Sequence, residues 1–188
     1  MGFDAGRDGL RSARLQLRRF ELADLPLLQR LNSDPEVMRY LGGPEAPEDT
    51  RTMLEGRILS YYQEQPGLGV WASIERHSGA CIGFHLLNHI RGESLIQVGY
   101  RLFPQYWGSG YATEMSVALL RYGYTQLGLP SLCAITHPDN AGSQRVLLKS
   151  GLERQGERAF SHPSYAPYGA MPFFQRGAED WLRTAPGG

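Results

Sequence analysis

The stretch "PQYWGSGYATE", Pro104 to Glu114, sets two glycines around a serine, directly after an apolar strand-like run and directly before a helix-like one. Consecutive free backbone N–H groups at a helix start, with glycines that let a ligand come close, form an anion cradle, and the helix dipole favours negative charge there. The stretch therefore reads as a phosphate-holding junction. A Walker loop would require Gly-Lys-Ser/Thr, and a dinucleotide fingerprint would require a third glycine where Thr113 stands. Neither fits. A tight strand-to-helix turn with no ligand is the bland alternative on the glycines alone.

Outward from the junction the element types alternate. "ARLQLRRF" (Ala13 to Phe20) has strand alternation, and "LADLPLLQRLN" then carries Leu22, Leu25, Leu28 and Leu31 on one helical stripe, with Pro26 suited to a first turn. "EDTRTMLEGRILSYYQEQ" reads as a second amphipathic helix closed by Pro66 and Gly67. The runs "GVWASIER", "ACIGFHLLNHI" and "SLIQVGYRLF", joined by turn-prone "HSG" and "RGES", make an antiparallel meander. Beyond the junction come a helix from Tyr111 to Leu127, the strand "SLCAITH", a helix from Asn140 to Ser150, and strands near Arg154 and Phe173. This order predicts an α/β (α+β) fold: a mixed, mostly antiparallel sheet flanked by helices, with ligands at the carboxyl ends of diverging strands.

Composition narrows the function classes. The 188 residues fit one domain, expected over 13–183 behind a disordered tail at 1–12. Nineteen Lys and Arg balance nineteen Asp and Glu without a basic block, so no nucleic-acid groove is expected. Cys81 and Cys133 lie far apart and outside any CxxC or Cys/His cluster, which points to a reducing compartment and to no structural metal. Neither a signal peptide nor a membrane-spanning run is present, so a cytoplasmic location is expected, with a homodimer left open. His85 and His89 fit a partly exposed strand face better than a metal site, and His77, His137 and His162 have no ligand spacing.

Gln105-Tyr106-Trp107-Gly108-Ser109-Gly110 resembles the Q/R-x-x-G-x-G/A signature with which GNAT-superfamily N-acetyltransferases bind the pyrophosphate of acetyl-CoA. The run "VGYRLFPQYWGSGYATE" followed by "HPDNAGSQRVLLKSGL" is similar to the RimJ/RimL-like branch, the ribosomal-protein N-terminal acetyltransferases and their relatives. The resemblance spans about Arg14 to Trp181. It implies that the strand Gly99 to Phe103 splays from the strand beginning near Leu132 and that pantetheine lies in the gap. Backbone groups of Leu102 and Phe103 would pair with it, while amides from Trp107 through Gly108, Ser109, Gly110 and Tyr111 to Ala112 hold the pyrophosphate.

The resemblance also implies roles near the thioester. Asn140 is a good N-cap by type, and the family reading adds a pantetheine amide as its partner. Ser143 stands where relatives place a hydroxyl near the CoA sulfur, a general acid for the departing thiolate. Many relatives use a tyrosine four residues later, where this chain has Leu147. Relatives often carry a glutamate base where this chain has Gln97, which cannot take a proton at neutral pH. Glu114 is the nearest remaining acid, with a structural tie of helix to sheet as the competing reading. The late loop "FSHPSYAPYGAM" and "NSDPEVMRYLGG" are implied to line the amine pocket, with Asp34, Glu36, Tyr40, Tyr165 and Tyr168 as candidates for meeting a cation. The expected activity is direct acetyl transfer from acetyl-CoA to a primary amine, of a protein N-terminus or a small molecule. A non-catalytic acyl-CoA-binding or regulatory protein is the alternative that Gln97 keeps open.

Overall fold

The computed structural model of the protein describes residues 9–186. Strands β1 (Leu15–Arg19), β2 (Gly69–Glu75), β3 (Cys81–His89), β4 (Ile96–Leu102), β5 (Ser131–Ile135), β6 (Glu153–Arg158) and β7 (Met171–Gly177) form a seven-stranded sheet in the order β1-β2-β3-β4-β5-β7-β6. Only the β4/β5 pairing is parallel, so the mixed, mostly antiparallel sheet matches expectation. Helices α1 (Leu25–Asn32), α2 (Pro47–Met53), α3 (Tyr61–Glu64), α4 (Tyr111–Thr125), α5 (Ala141–Lys149) and α6 (Ala178–Thr184) flank it. None of the helices among the described residues is long and apolar enough to cross a membrane.

Local chemistry explains these elements and their departures from the periodicity. In β1, Leu15 and Leu17 point inward and are almost wholly buried, as alternation requires. In α1 the stripe Leu25, Leu28 and Leu31 is buried, but Leu22 is 59% exposed, because it lies in a 3-10 turn (Leu22–Asp24) whose tighter winding rotates it off the stripe. The second helical stretch is broken in type: α2 passes through a π-helical turn, Leu54–Leu59, before α3. Leu54, Ile58 and Tyr62 all lie buried along this stretch. Order also begins before Ala13. Leu17 N–H donates to the Leu10 carbonyl at 2.8 Å, and Ser12 Oγ donates to Glu114 at 2.6 Å. The tail expected over 1–12 therefore excludes Leu10 to Ser12, while residues 1–8 lie outside the described ones.

The feature that positions the site is the β4/β5 pair. These strands share a single bridge, Gln97 with Cys133, and diverge beyond it toward their carboxyl ends. The chain leaving β4 turns through Pro104–Tyr106 and enters α4 at Tyr111, so the glycine junction stands at the open end of that divergence.

Candidate active site

Gly108 and Gly110 have φ of +72° and +84°, where L residues cost about 1–2 kcal/mol, which is why glycine occupies both positions. Gly110 caps α4 without a side-chain hydrogen bond, and the first intrahelical bond is Glu114 N–H to the Gly110 carbonyl at 3.0 Å. The N–H groups of Tyr111, Ala112 and Thr113 thus stand free at the end of a 15-residue helix. A Cβ added at Gly108 would meet nothing within 4 Å, so the loop is open on that side. Trp107 is not part of the cradle by its amide, which donates to the Pro104 carbonyl at 3.0 Å. The cradle begins at Gly108, runs through Ser109 to Ala112, and gains Thr113. Gln105 sits exposed on the turn before it.

The wall of the gap differs by one residue from expectation. Phe103 N–H donates to Ile82 on β3 and its carbonyl accepts from Tyr106, both at 3.0 Å, so Phe103 offers no backbone group to a ligand. Strand alternation then turns Leu102 and Tyr100 toward the gap. The Leu102 carbonyl already accepts the Trp107 indole N–H at 2.8 Å, which leaves the Leu102 N–H and the Tyr100 backbone as the gap-facing groups.

Across the gap, Asn140 caps α5 by accepting Ser143 N–H at 3.0 Å through Oδ1. Capping uses only the oxygen, so the Asn140 amide N–H2 is still available to a ligand carbonyl. The Tyr100 phenol projects from β4 with Ser143 nearby. Burial pushes that phenol upward, with Ser143 opposing. Leu147, where relatives carry a tyrosine, is buried.

Both positions considered for the base are accounted for. Glu114 accepts Ser12 Oγ at 2.6 Å, Arg14 N–H at 2.7 Å and Arg14 Nε at 2.7 Å. Burial alone would raise its carboxyl, but the hydrogen bonds from Ser12 and Arg14 and the Arg14 charge outweigh burial and hold it below its ordinary value. Such a carboxylate is a poor base. Gln97 lies at the closed end of the gap, where its amide donates to Asn88 at 3.3 Å.

A diverging parallel pair that opens onto an uncapped helix start is the geometry implied for acetyl-CoA, and the family described as acetyltransferase (GNAT) domain matches residues 14–153. The chain belongs to the GNAT acetyltransferase family. The uncharacterized N-acetyltransferase YoaA of Bacillus subtilis is 32% identical over 166 residues, covering 85% of this chain and 91% of YoaA. The crystal structure of an acetyltransferase from Agrobacterium tumefaciens matches with a TM-score of 0.76 at 26% identity, over 89% of this chain and 92% of its own. Spermidine N-acetyltransferase from Vibrio cholerae, solved with CoA and spermine, shares the fold at a TM-score of 0.70 and 17% identity, over 90% of this chain and 99% of its own.

In this acetyltransferase the loops that carry Tyr40, His137 and Tyr168 meet. The Tyr40 ring lies 5.3 Å from His137 and the Tyr168 ring 6.2 Å from it. His137 Nδ1 accepts Asp139 N–H at 3.1 Å, so its other nitrogen carries the proton of the neutral ring. The remaining aromatic and acidic candidates do not join this cluster. Tyr165 packs against Phe160 and accepts Arg91 N–H at 3.3 Å, Asp34 accepts Glu36 N–H at 2.9 Å within its own turn, and Glu36 is exposed. Below the loops, Arg101 on β4 donates to buried Asn32, whose amide donates to Glu45 at 2.8 Å and Thr50 at 3.2 Å. Neither this network nor the His137 contacts follow from local sequence, since each joins loops far apart in the chain.

His85, His89 and the two cysteines of the acetyltransferase are held in packing and hydrogen-bond contacts. His85 is fully buried rather than partly exposed: its Nδ1 and Ser73 Oγ lie 2.7 Å apart and its ring tilts against Tyr100 at 5.8 Å. His89 and the Tyr61 hydroxyl share a 2.7 Å hydrogen bond. No group of three or more metal-ligating side chains stands among the described residues. Burial pushes the Cys133 thiol up to about 12 and raises Cys81, so neither is a ready thiolate nucleophile.

Burial pushes the His85 imidazole from its ordinary 6.5 down to about 3, with the Glu114 charge opposing. The unfolded chain therefore takes up this proton first as pH falls, and stability is lost from about pH 6.5 downward until the folded ring also titrates near 3. Between pH 7 and pH 5 the loss is about 2 kcal/mol, roughly 5 °C in Tm for a chain of this size. Thermal melts of the wild type and His85→Gln check this: the variant, destabilised overall, should lack that slope.

Proposed function

We propose that this GNAT enzyme transfers the acetyl group of acetyl-CoA directly to a primary amine of depressed pKa, either a protein N-terminal α-amine, as in the RimJ/RimL-like branch, or a small-molecule amine. The observation that carries the reading is the single-bridge β4/β5 pair opening onto the free N–H groups of Gly108 to Thr113, with Ser143 across the gap. The amine lone pair attacks the thioester carbonyl carbon, a C–N bond forms, the C–S bond breaks, and the nitrogen releases its proton. Ser143 protonates the departing thiolate and is reprotonated from solvent, which takes up the proton released by the nitrogen. No covalent enzyme intermediate is needed, in keeping with two cysteines that resist ionisation.

The preference for low-pKa amines follows from the base. With Gln97 an amide and Glu114 already bonded to Ser12 and Arg14, deprotonation falls to water or to selection of the neutral amine. An α-amine with pKa ~7.8 is on the order of a tenth neutral at pH 7, whereas a lysine amine at ~10.4 is neutral a few times in ten thousand, a handicap of about 3.5 kcal/mol. A panel assay that detects free CoA released from acetyl-CoA, with the acetylated product identified by mass, tests the reading over peptides, polyamines and aminoglycosides. Turnover with at least one amine supports it, and CoA binding without turnover on any amine argues against it. With a productive acceptor, kcat/KM should rise with pH along the acceptor's own pKa. Gln97→Glu should then help high-pKa amines more than α-amines, and equal gains for both would remove the base argument.

A further inference from the structure

The cradle's own stretch, Pro104 to Glu114, contains no lysine or arginine. A cation nevertheless stands beside it, brought from the start of β1. Arg14 donates through Nε to Glu114 at 2.7 Å and through Nη1 to the Ser109 carbonyl at 3.0 Å. Its guanidinium carbon lies 4.3 Å from the centre of the Tyr111 ring, and a Cβ built on Gly110 would stand 3.4 Å from Nη2. One side chain thus grips the loop carbonyl, the first-turn carboxylate and the face of the first helical residue. The Nη2 group makes no hydrogen bond among the described residues, and the Arg14 side chain is 43% exposed.

A plain tie between the first strand and α4 does not require this arrangement. Ser12 Oγ and the Arg14 backbone N–H already bind the Glu114 carboxylate at 2.6 and 2.7 Å. The guanidinium goes further, onto the loop, and its rigid planar fork leaves one edge free at Gly110. A cation beside a helix N-terminus is disfavoured by the dipole unless an anion is there to meet it, and Glu114 balances only the Nε side. An exposed ion pair adds little stability by itself, so the value of the arrangement lies in where it holds the free edge.

We propose that Arg14 is the cation of the coenzyme cradle, donating from Nη2 to a pyrophosphate oxygen while Glu114 holds the guanidinium in place. The inference rests on the acetyl-CoA reading above. It makes Arg14 a binding residue and Glu114 a positioning residue.

Steady-state kinetics with three acetyl donors test it: acetyl-CoA, acetyl-dephospho-CoA, which keeps the pyrophosphate, and S-acetyl-pantetheine, which has none. In Arg14→Met the KM for acetyl-CoA and for acetyl-dephospho-CoA should both rise ten- to a hundredfold, as expected for one lost charge-assisted contact. The KM for S-acetyl-pantetheine and all three kcat values should stay within about twofold, and Arg14→Lys should recover part of the loss. Equal KM rises with all three donors would make Arg14 a fold element and overturn the assignment. So would unchanged KM values, or a loss confined to acetyl-CoA, which would place Arg14 on the 3′-phosphate. Should Arg14→Met not fold, Glu114→Gln carries the same test through a severalfold, pyrophosphate-dependent rise in KM, and its absence overturns the proposal. Failure of the wild type to bind CoA at all would instead refute the acetyl-CoA reading.

Discussion

Gly110→Val is expected to weaken CoA binding by about a hundredfold or more while leaving a folded protein. Gly110 sits at φ +84°, a region that a β-branched residue scarcely enters, so valine forces the loop into another conformation. The first-turn N–H groups of α4 depend on that loop for their direction, and the added Cβ would stand in van der Waals contact with Arg14 Nη2, 3.4 Å away. Stability should suffer less than binding, because the loop is exposed and the core under α4, Met115, Leu119 and Leu120, is untouched. Calorimetric titration with CoA beside a thermal melt measures both. Binding like that of the wild type would show that the junction is only a strand-to-helix turn.

Ser143→Ala should lower kcat ten- to a hundredfold or more with little change in acetyl-CoA affinity, the usual scale for a lost general acid. The methyl group cannot protonate the thiolate, whereas Asn140, which supplies the cap, keeps its bond to the backbone N–H of residue 143. Single-turnover measurements separate chemistry from product release. An unchanged chemical step in Ser143→Ala would remove the serine from the mechanism.

The parts of this site that could be read from sequence were those carried by contiguous residues. The glycine loop, the Asn140 cap and the helix behind each of them follow from local φ, capping and periodicity, and the structure puts them where the strands diverge. The Phe103 N–H cannot be placed from sequence, because its direction depends on which strand lies beside it, here Ile82 on β3. Tyr100 could have been found from the alternation of "VGYRL", which sets it on the face opposite Arg101, but nothing local places it beside Ser143. Arg14 and Glu114 are 100 positions apart, and no periodicity links them. The π-helical turn at Leu54–Leu59 has no residue signature of its own either, since Leu54, Ile58 and Tyr62 fit an ordinary helix as well.

The central claim is that coenzyme phosphate is held by the backbone between Gly108 and Thr113 and that pantetheine runs along the gap-facing edge of β4. Backbone amide NMR during a titration with CoA reads those groups one by one. The largest shifts should fall on the amides of Gly108 to Thr113, with a second set at Tyr100, Leu102 and Ser143 and little change along β1 beyond Arg14. Saturable binding that leaves the Gly108 to Thr113 amides unmoved, or that shifts another face of the sheet instead, would contradict the account.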